Sequence, residues 1–196
     1  FKPEIVTDDG AELHLMLHRY WSDNTIAGTE ETTSGVTRLK ELELDRKLMY
    51  PIIAINNART KFLFGNLYGT GQSTVDGLMR TSFVFLTGKH VVVCGYGWVG
   101  KGVASRLRGM GAIVTVTEID PIKALEAHME GYKVSRLASA CQYGDIFITC
   151  TGSHRIIRKE HIDRMKDGVF LCIAGHFDFE IDIDYIRSQA QKQIKF

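Results

Sequence analysis

Residues 90–102 read HVVVCGYGWVGKG, and the fold turns on this stretch. Val91, Val92, Val93 and Cys94 form an apolar run with no polar alternation, as in a strand covered on both faces. Gly95, Gly97 and Gly100 follow in the spacing G-x-G-x-x-G, and Val99, Val103, Leu107 and Met110 then recur at helical intervals. Outward from here, short apolar runs alternate with helical patterns. AIVTVTE (112–118) precedes a helix over Pro121–Glu130, IFITCT (146–151) precedes a helix-like stretch to Met165, and VFLCIAG (169–175) follows. Buried strands alternating with helices define an α/β fold with a doubly wound parallel sheet.

The glycine spacing gains meaning from this context. Gly95 permits the tight turn, Gly97 lets a pyrophosphate approach the backbone, Gly100 lets the helix pack on the strand, and the helix N-terminus favours the anion. Glu118 ends the next strand 23 residues after Gly95, where a carboxylate accepts both ribose hydroxyls and repels a 2′-phosphate. The expected cofactor is therefore NAD rather than NADP. A glycine turn needed only for packing is the competing reading, and it leaves the strand, helix and acidic residue as coincidence.

Composition sets the outer bounds. The 196 residues carry 24 Lys and Arg against 23 Asp and Glu, a net charge of +1 that supplies no field for nucleic acid or an anionic membrane. With 44% hydrophobic and 24% charged residues the chain has enough apolar material for a core. No apolar run reaches bilayer length and the opening FKPEIVTDDG lacks signal-peptide features, so a soluble, cytoplasmic protein is expected. Cys94, Cys141, Cys150 and Cys172 are widely spaced, without a C-x-x-C pair, and read as buried thiols rather than as metal ligands. No metal is expected.

The first third reads as irregular. Leu13–Tyr20 is apolar-periodic, Val36–Leu48 has a mostly helical leucine spacing ended by Pro51, and PIIAIN (51–56) reads as a short buried strand. Ser73–Leu86 suggests a helix with Thr74, Leu78, Thr81 and Phe85 near one face and Gly88 as its stop, preceded by a flexible joint at Gly69 and Gly71. The expected division is residues 1–68 as part of one domain and 69–196 as the dinucleotide-binding domain.

Several residues stay open on spacing alone. Asp8 and Asp9 before Gly10 fit a plain turn, and EETTSG (30–35) fits a capping segment as well as an acceptor-rich site. Lys61 is a base if desolvated and otherwise a solvated lysine. His176, in GHFD directly after a buried strand, stands at the edge where open α/β sheets bind ligands.

Taken together, DDGAEL, EETTSGV, TKFLFGNLYGTGQSTVDG, GKHVVVCGYGWVGKG, VTEIDPIKALEAHMEGY, TCTGS and MKDGVFLCIAGHFDFEID resemble the S-adenosyl-L-homocysteine hydrolase family over nearly the whole chain. The resemblance implies a substrate-binding domain beside a Rossmann-type domain, tightly held NAD, and a homotetramer acting in the S-adenosylmethionine cycle. It implies hydrolysis of adenosylhomocysteine to adenosine and homocysteine by oxidation at C3′, elimination, water addition and re-reduction. By motif position Lys61 assists deprotonation of the 3′-hydroxyl, Asp9 acts near C4′, Glu31 orients the ribose, His176 works beside the 5′ end and Asn66 positions the Lys61 region. Thr32, Thr33, Ser34, Asn66, Gly95, Gly97, Trp98, Val99, Gly100, Lys101, Gly102, Glu118, Lys123, Thr151, Gly152, Ala174, Gly175 and His176 are its implied cofactor contacts. Closure about the joint near Gly69 would assemble the site.

The chain departs from the family pattern at Gly65, where an Asp usually precedes Asn66, and at Asn57, Ser34, Lys123 and Ile173. Two alternatives follow. One is a hydrolase of the same mechanism acting on another purine thioether such as S-inosylhomocysteine; the other is a non-catalytic NAD-binding regulator disabled by Gly65.

Overall fold

The computed structural model describes residues 2–20 and 24–190 and separates into two compact units, Phe1–Leu63 and Phe64–Phe196. Residues 191–196, the end of the expected dinucleotide-binding domain, lie outside the described residues.

The first unit is more regular than its sequence suggests. Strands β1 (Ile5–Asp8), β2 (Ala27–Glu30) and β3 (Ile52–Ala54) form a parallel sheet in that order, with helices α1 (Glu12–Tyr20) and α2 (Thr33–Leu44) in the crossovers. IVTD and AGTE are too short, and too mixed in acidic residues and glycine, to show a strand pattern. Helix α2 begins three residues before Val36, because Thr32 caps it by accepting from the Gly35 amide at 3.1 Å, and it ends at Leu44, well before Pro51. Strand β3 corrects the expected buried strand. It lies at an edge of the described sheet, with Ile53 65% exposed.

A π-helical stretch, Lys61–Thr70, carries the chain into the second unit and runs into α3 (Gly71–Ser82). Gly69 and Gly71, the expected joint, therefore lie inside a helical run, and Gly71 packs so closely on Gly102 that a Cβ would come within 2.6 Å of its carbonyl carbon. Helix α3 stops at Phe83, in the left-handed region at φ 52°, rather than at Gly88. Its buried residues are Gly71, Val75 and Leu78, while Phe85 is 76% exposed, so the expected face is corrected.

Strands β4 (His90–Cys94), β5 (Ile113–Thr117), β6 (Lys133–Val134), β7 (Ile146–Thr149) and β8 (Phe170–Ile173) form the main sheet, wholly parallel in the order β6-β5-β4-β7-β8. Helices α4 (Trp98–Gly109), α5 (Pro121–Met129), α6 (Leu137–Ala140), α7 (Lys159–Ile162) and α8 (Ile183–Gln189) connect or follow them. The helix-like stretch to Met165 shrinks to the single turn α7. Alternate residues of the central strands feed two cores. Val91, Val93, Ile146 and Ile148 pack with Val103 and Leu107, and Val92 and Phe147 pack with Ala140, Ile157 and Ile181. Each buried Val, Leu, Ile or Phe among them contributes about 1.5–3 kcal/mol by leaving water. Cys94 and Cys141 are buried and free, and burial pushes their thiols up to about 12 and about 11, which keeps them neutral. No described helix is long and apolar enough to cross a membrane.

His161, buried in α7, takes the Arg158 amide on Nδ1 at 3.2 Å, and burial lowers its pKa below 6.5. The unfolded state then binds more protons as pH falls below about 6.5, so the contribution of the neutral imidazole is complete above that pH and is lost on acidification through the folded pKa. His161→Gln is expected to flatten the dependence of stability on pH in that window, measured by denaturant unfolding. An unchanged slope would contradict it.

Candidate functional site

Strands β4 and β7 are neighbours whose connections leave in opposite directions along the sheet, which opens a crevice at their carboxyl ends. The loops at this edge of the sheet, together with the start of α4, carry most of the expected cofactor contacts. Gly95 adopts φ +99°, a conformation glycine enters freely, and a Cβ there would lie 2.9 Å from Thr151 Cγ2 and 3.2 Å from the Cys150 carbonyl oxygen. At Gly100 a Cβ would lie 2.0 Å from the Gly95 oxygen, so helix and turn pack as the motif requires. Gly97 differs. It caps α4 at φ −75°, and a Cβ on it would meet nothing within 4 Å. The turn is open at the position where a pyrophosphate is to approach the first-turn amides of α4.

Glu118 follows β5 and is tied to the glycine turn. Its Oε2 accepts from the Tyr96 amide at 2.7 Å, and its Oε1 accepts from the Ile119 and Asp120 amides at 2.7 and 3.0 Å. These bonds fix the carboxylate at the turn and leave it lone pairs for a ribose diol. Glu118→Ser is expected to narrow the preference for NAD+ over NADP+ by about tenfold or more, read as a ratio of dissociation constants; an unchanged ratio would remove the ribose role. Tyr96 is buried and anchored through its hydroxyl to Glu130 at 2.7 Å, with its pKa raised by burial and then by the Glu130 carboxylate.

Other expected contacts are engaged by the protein itself. The Lys101 ammonium pairs with Glu126 and sits 5.1 Å above the Trp98 ring, while Val99, in the first turn of α4, packs against the core. Gly102 faces Leu67, whose carbonyl oxygen would be 2.0 Å from a Cβ. Lys123, in the first turn of α5, lies 3.7 Å from Asp120, which caps that helix. Thr151 and Gly152 follow β7, and Ala174, Gly175 and His176 follow β8. His176 is exposed and meets Phe177 edge-on at 4.5 Å, in a run of rings that continues through Phe179 to His154.

In the first unit, the Lys61 amine donates to the Glu31 carbonyl oxygen at 2.5 Å and to Asn56 Oδ1 at 3.2 Å, with the Glu31 carboxylate at 3.9 Å. Thr33 donates to the same Asn56 oxygen at 3.3 Å, and Ser34 donates to Thr32 Oγ1 at 3.3 Å. Lys61, Glu31 and Thr33 thus meet around a residue the sequence reading missed, Asn56. Asp9 begins the turn after β1, where its amide donates to Asp8. Asn66 and Gly65 lie in the π-helical stretch that begins at Lys61.

Two further residues matter: Glu30, part of the EETTSG stretch but given no role of its own, and Glu180, which the sequence reading passed over. Glu30, fully buried, accepts from the amides of Gly10, Ala11 and Thr32 and from the Thr32 hydroxyl, at 2.8–3.0 Å, and so holds the Asp9 turn against the start of α2. Glu180, 1% exposed, does the same for Thr151 and Gly152. Glu30 is the last residue of β2 and Glu180 closes a 3-10 turn, and both are carboxylates buried where residue type predicts a solvated side chain. Asp8, His14 and Glu30 offer ligand atoms within 4.8 Å of one another, but hydrogen bonds to protein groups already engage each of them.

The strand order, glycine turn and Glu118 define a Rossmann-type dinucleotide-binding domain. Residues 66–196 match the model of the S-adenosyl-L-homocysteine hydrolase NAD-binding domain, and the chain belongs to that family, with NAD as its cofactor. It is 54% identical to adenosylhomocysteinase of Aeropyrum pernix over 185 residues, 93% of this chain and 44% of that protein. It is likewise 54% identical to the Saccharolobus solfataricus adenosylhomocysteinase (97% and 46%), and 50% identical to the S-inosyl-L-homocysteine hydrolase of Methanopyrus kandleri (98% and 46%). The chain spans about half the length of these curated relatives. Among solved structures it is similar in fold to a dipicolinate synthase from Bacillus halodurans, with TM-score 0.70, 16% identity, and coverage of 87% of this chain and 57% of that one. The apo D-lactate dehydrogenase of Escherichia coli gives a TM-score of 0.60 at 14% identity, covering 94% and 63%.

Proposed function

We propose that the full-length protein hydrolyses S-adenosyl-L-homocysteine to adenosine and L-homocysteine. The observation that carries this reading is the Lys61 cluster, an amine held by Glu31 and Asn56 in a chain of this NAD-binding family. Bound NAD+ supplies the oxidation of the substrate's C3′ and its later reversal. Gly97, the first turn of α4 and Glu118 hold the cofactor, with Trp98, Val99, Gly100, Thr151, Gly152 and Ala174 to His176 forming the walls of its site. Lys61 takes the proton of the 3′-hydroxyl, and the Glu31 carboxylate orients the ribose diol. Once C3′ is a carbonyl, the C4′ hydrogen is acidic. Asp9 takes that proton, homocysteine leaves from C5′, and His176 guides the water that replaces it. The first unit belongs to a substrate-binding domain in this reading, and the working protein is a cytoplasmic homo-oligomer.

A second reading, hydrolysis of S-inosyl-L-homocysteine, is favoured by the 50% identity to the Methanopyrus enzyme of that name. The two differ only in the purine, so the test is homocysteine release by the full-length protein supplied with NAD+ and each thioether in turn. Faster release from the adenosyl compound is expected. Faster release from the inosyl compound would select the second reading, and release from neither, with NAD+ bound, would assign the protein to regulation and make Gly65 the disabling change.

A further inference from the structure

We propose that Glu180 is a positioning residue for the cofactor, acting through Thr151 and Gly152. Loops at the carboxyl edge of a parallel sheet leave backbone amides without ladder partners, and a buried carboxylate needs such donors around it. After β7 the requirement falls on two successive residues. Glu180 Oε2 accepts from the Thr151 amide at 3.0 Å and from its hydroxyl at 2.7 Å, and Oε1 accepts from the Gly152 amide at 3.0 Å. Three donors at one corner of the chain, two amides and a hydroxyl, call for a carboxylate, which accepts at both oxygens and donates at neither.

The clamp reaches two more loops. Thr151 Cγ2 would lie 2.9 Å from a Cβ on Gly95, so the threonine side chain forms a wall of the glycine-rich turn. On the other side, Glu180 Oε1 would lie 2.0 Å from a Cβ on Gly175, so the carboxylate fits only because the residue before His176 has no side chain. Glu180 thus stands where the loops after β4, β7 and β8 converge, and at 1% exposure it touches no ligand itself. Its effect on NAD+ is transmitted by the backbone it holds.

The inference rests on the placement of NAD+ at the β4–β7 crevice, and Gly97→Val separates the two: retained binding in that variant faults the placement, not Glu180. The test is NAD+ titration of the full-length wild type, Glu180→Gln, Thr151→Val and the double variant, each with a melting curve taken without cofactor. Glu180→Gln sets an amide donor against a backbone donor and is expected to weaken NAD+ binding by about 10- to 100-fold. The double variant should bind within about threefold of the weaker single variant, since both remove one arrangement. A melting temperature that falls while NAD+ affinity holds, or a double loss equal to the product of the single losses, would overturn the proposal. If Glu180→Gln does not fold, Gly175→Ala takes its place. It keeps the carboxylate but crowds it, and unchanged NAD+ affinity in that variant also overturns the proposal.

Discussion

Gly97→Val is expected to weaken NAD+ binding by about 100-fold or more while the protein folds as before. The asymmetry follows from what a side chain at this position would meet. Within the protein a Cβ has nothing within 4 Å, and the backbone at φ −75°, ψ −169° suits a β-branched residue. The cost to the fold is then the loss of a good capping residue, about 1 kcal/mol. The isopropyl group instead fills the approach to the first-turn amides of α4. Two charge-assisted hydrogen bonds, at about 1.5 kcal/mol each, account for a loss of roughly 100-fold. Calorimetric titration with NAD+, beside a melting curve, reads both quantities. Binding at normal affinity would remove the phosphate-turn assignment.

Lys61→Met should have the opposite signature: NAD+ binds as in the wild type and turnover falls by about 10²–10⁴-fold, the usual worth of a general base. Methionine keeps the apolar stem, which matters because the lysine side chain is only 16% exposed. The change leaves the Glu31 carbonyl and Asn56 Oδ1 without the amine between them, at a cost of about 1–3 kcal/mol in stability. Homocysteine release, followed with saturating NAD+, gives the turnover. Activity within about tenfold of the wild type would show that the amine only braces Asn56.

Most of the second unit was legible because β4, β7 and β8 are nearly continuous apolar runs and its chemistry is local, whereas the two-residue β6, Lys133–Val134, carries no pattern. VVVC, the glycine turn and Glu118 lie within a single strand-helix-strand segment, so spacing alone placed them at one edge of the sheet. The first unit was not legible in the same way. Its strands are four residues or fewer, and the glycine in β2 answers to a partner distant in sequence. Gly28 leaves room for His14, whose ring would lie 2.3 Å from a Cβ. The end of α3 was misplaced because Phe83 adopts a left-handed conformation that no residue preference signals. Asn56, Glu30 and Glu180 escaped for a related reason. Each acts through hydrogen bonds that tertiary folding creates, and a Glu or Asn at a strand end or in a 3-10 turn carries no mark of burial in the sequence. The carboxyl-terminal edges of both sheets depend on such residues, so the part of the site least visible in sequence is what holds its visible motifs in register.

Reduction of bound NAD+ by the nucleoside is the step on which the whole proposed cycle depends. The measurement is the near-ultraviolet absorbance of reduced nicotinamide after the full-length, NAD+-loaded protein is mixed with adenosine. A rapid rise to a partial, steady level is predicted, absent in Gly97→Val and strongly slowed in Lys61→Met. No rise, in a protein shown to bind both NAD+ and adenosine, would contradict it.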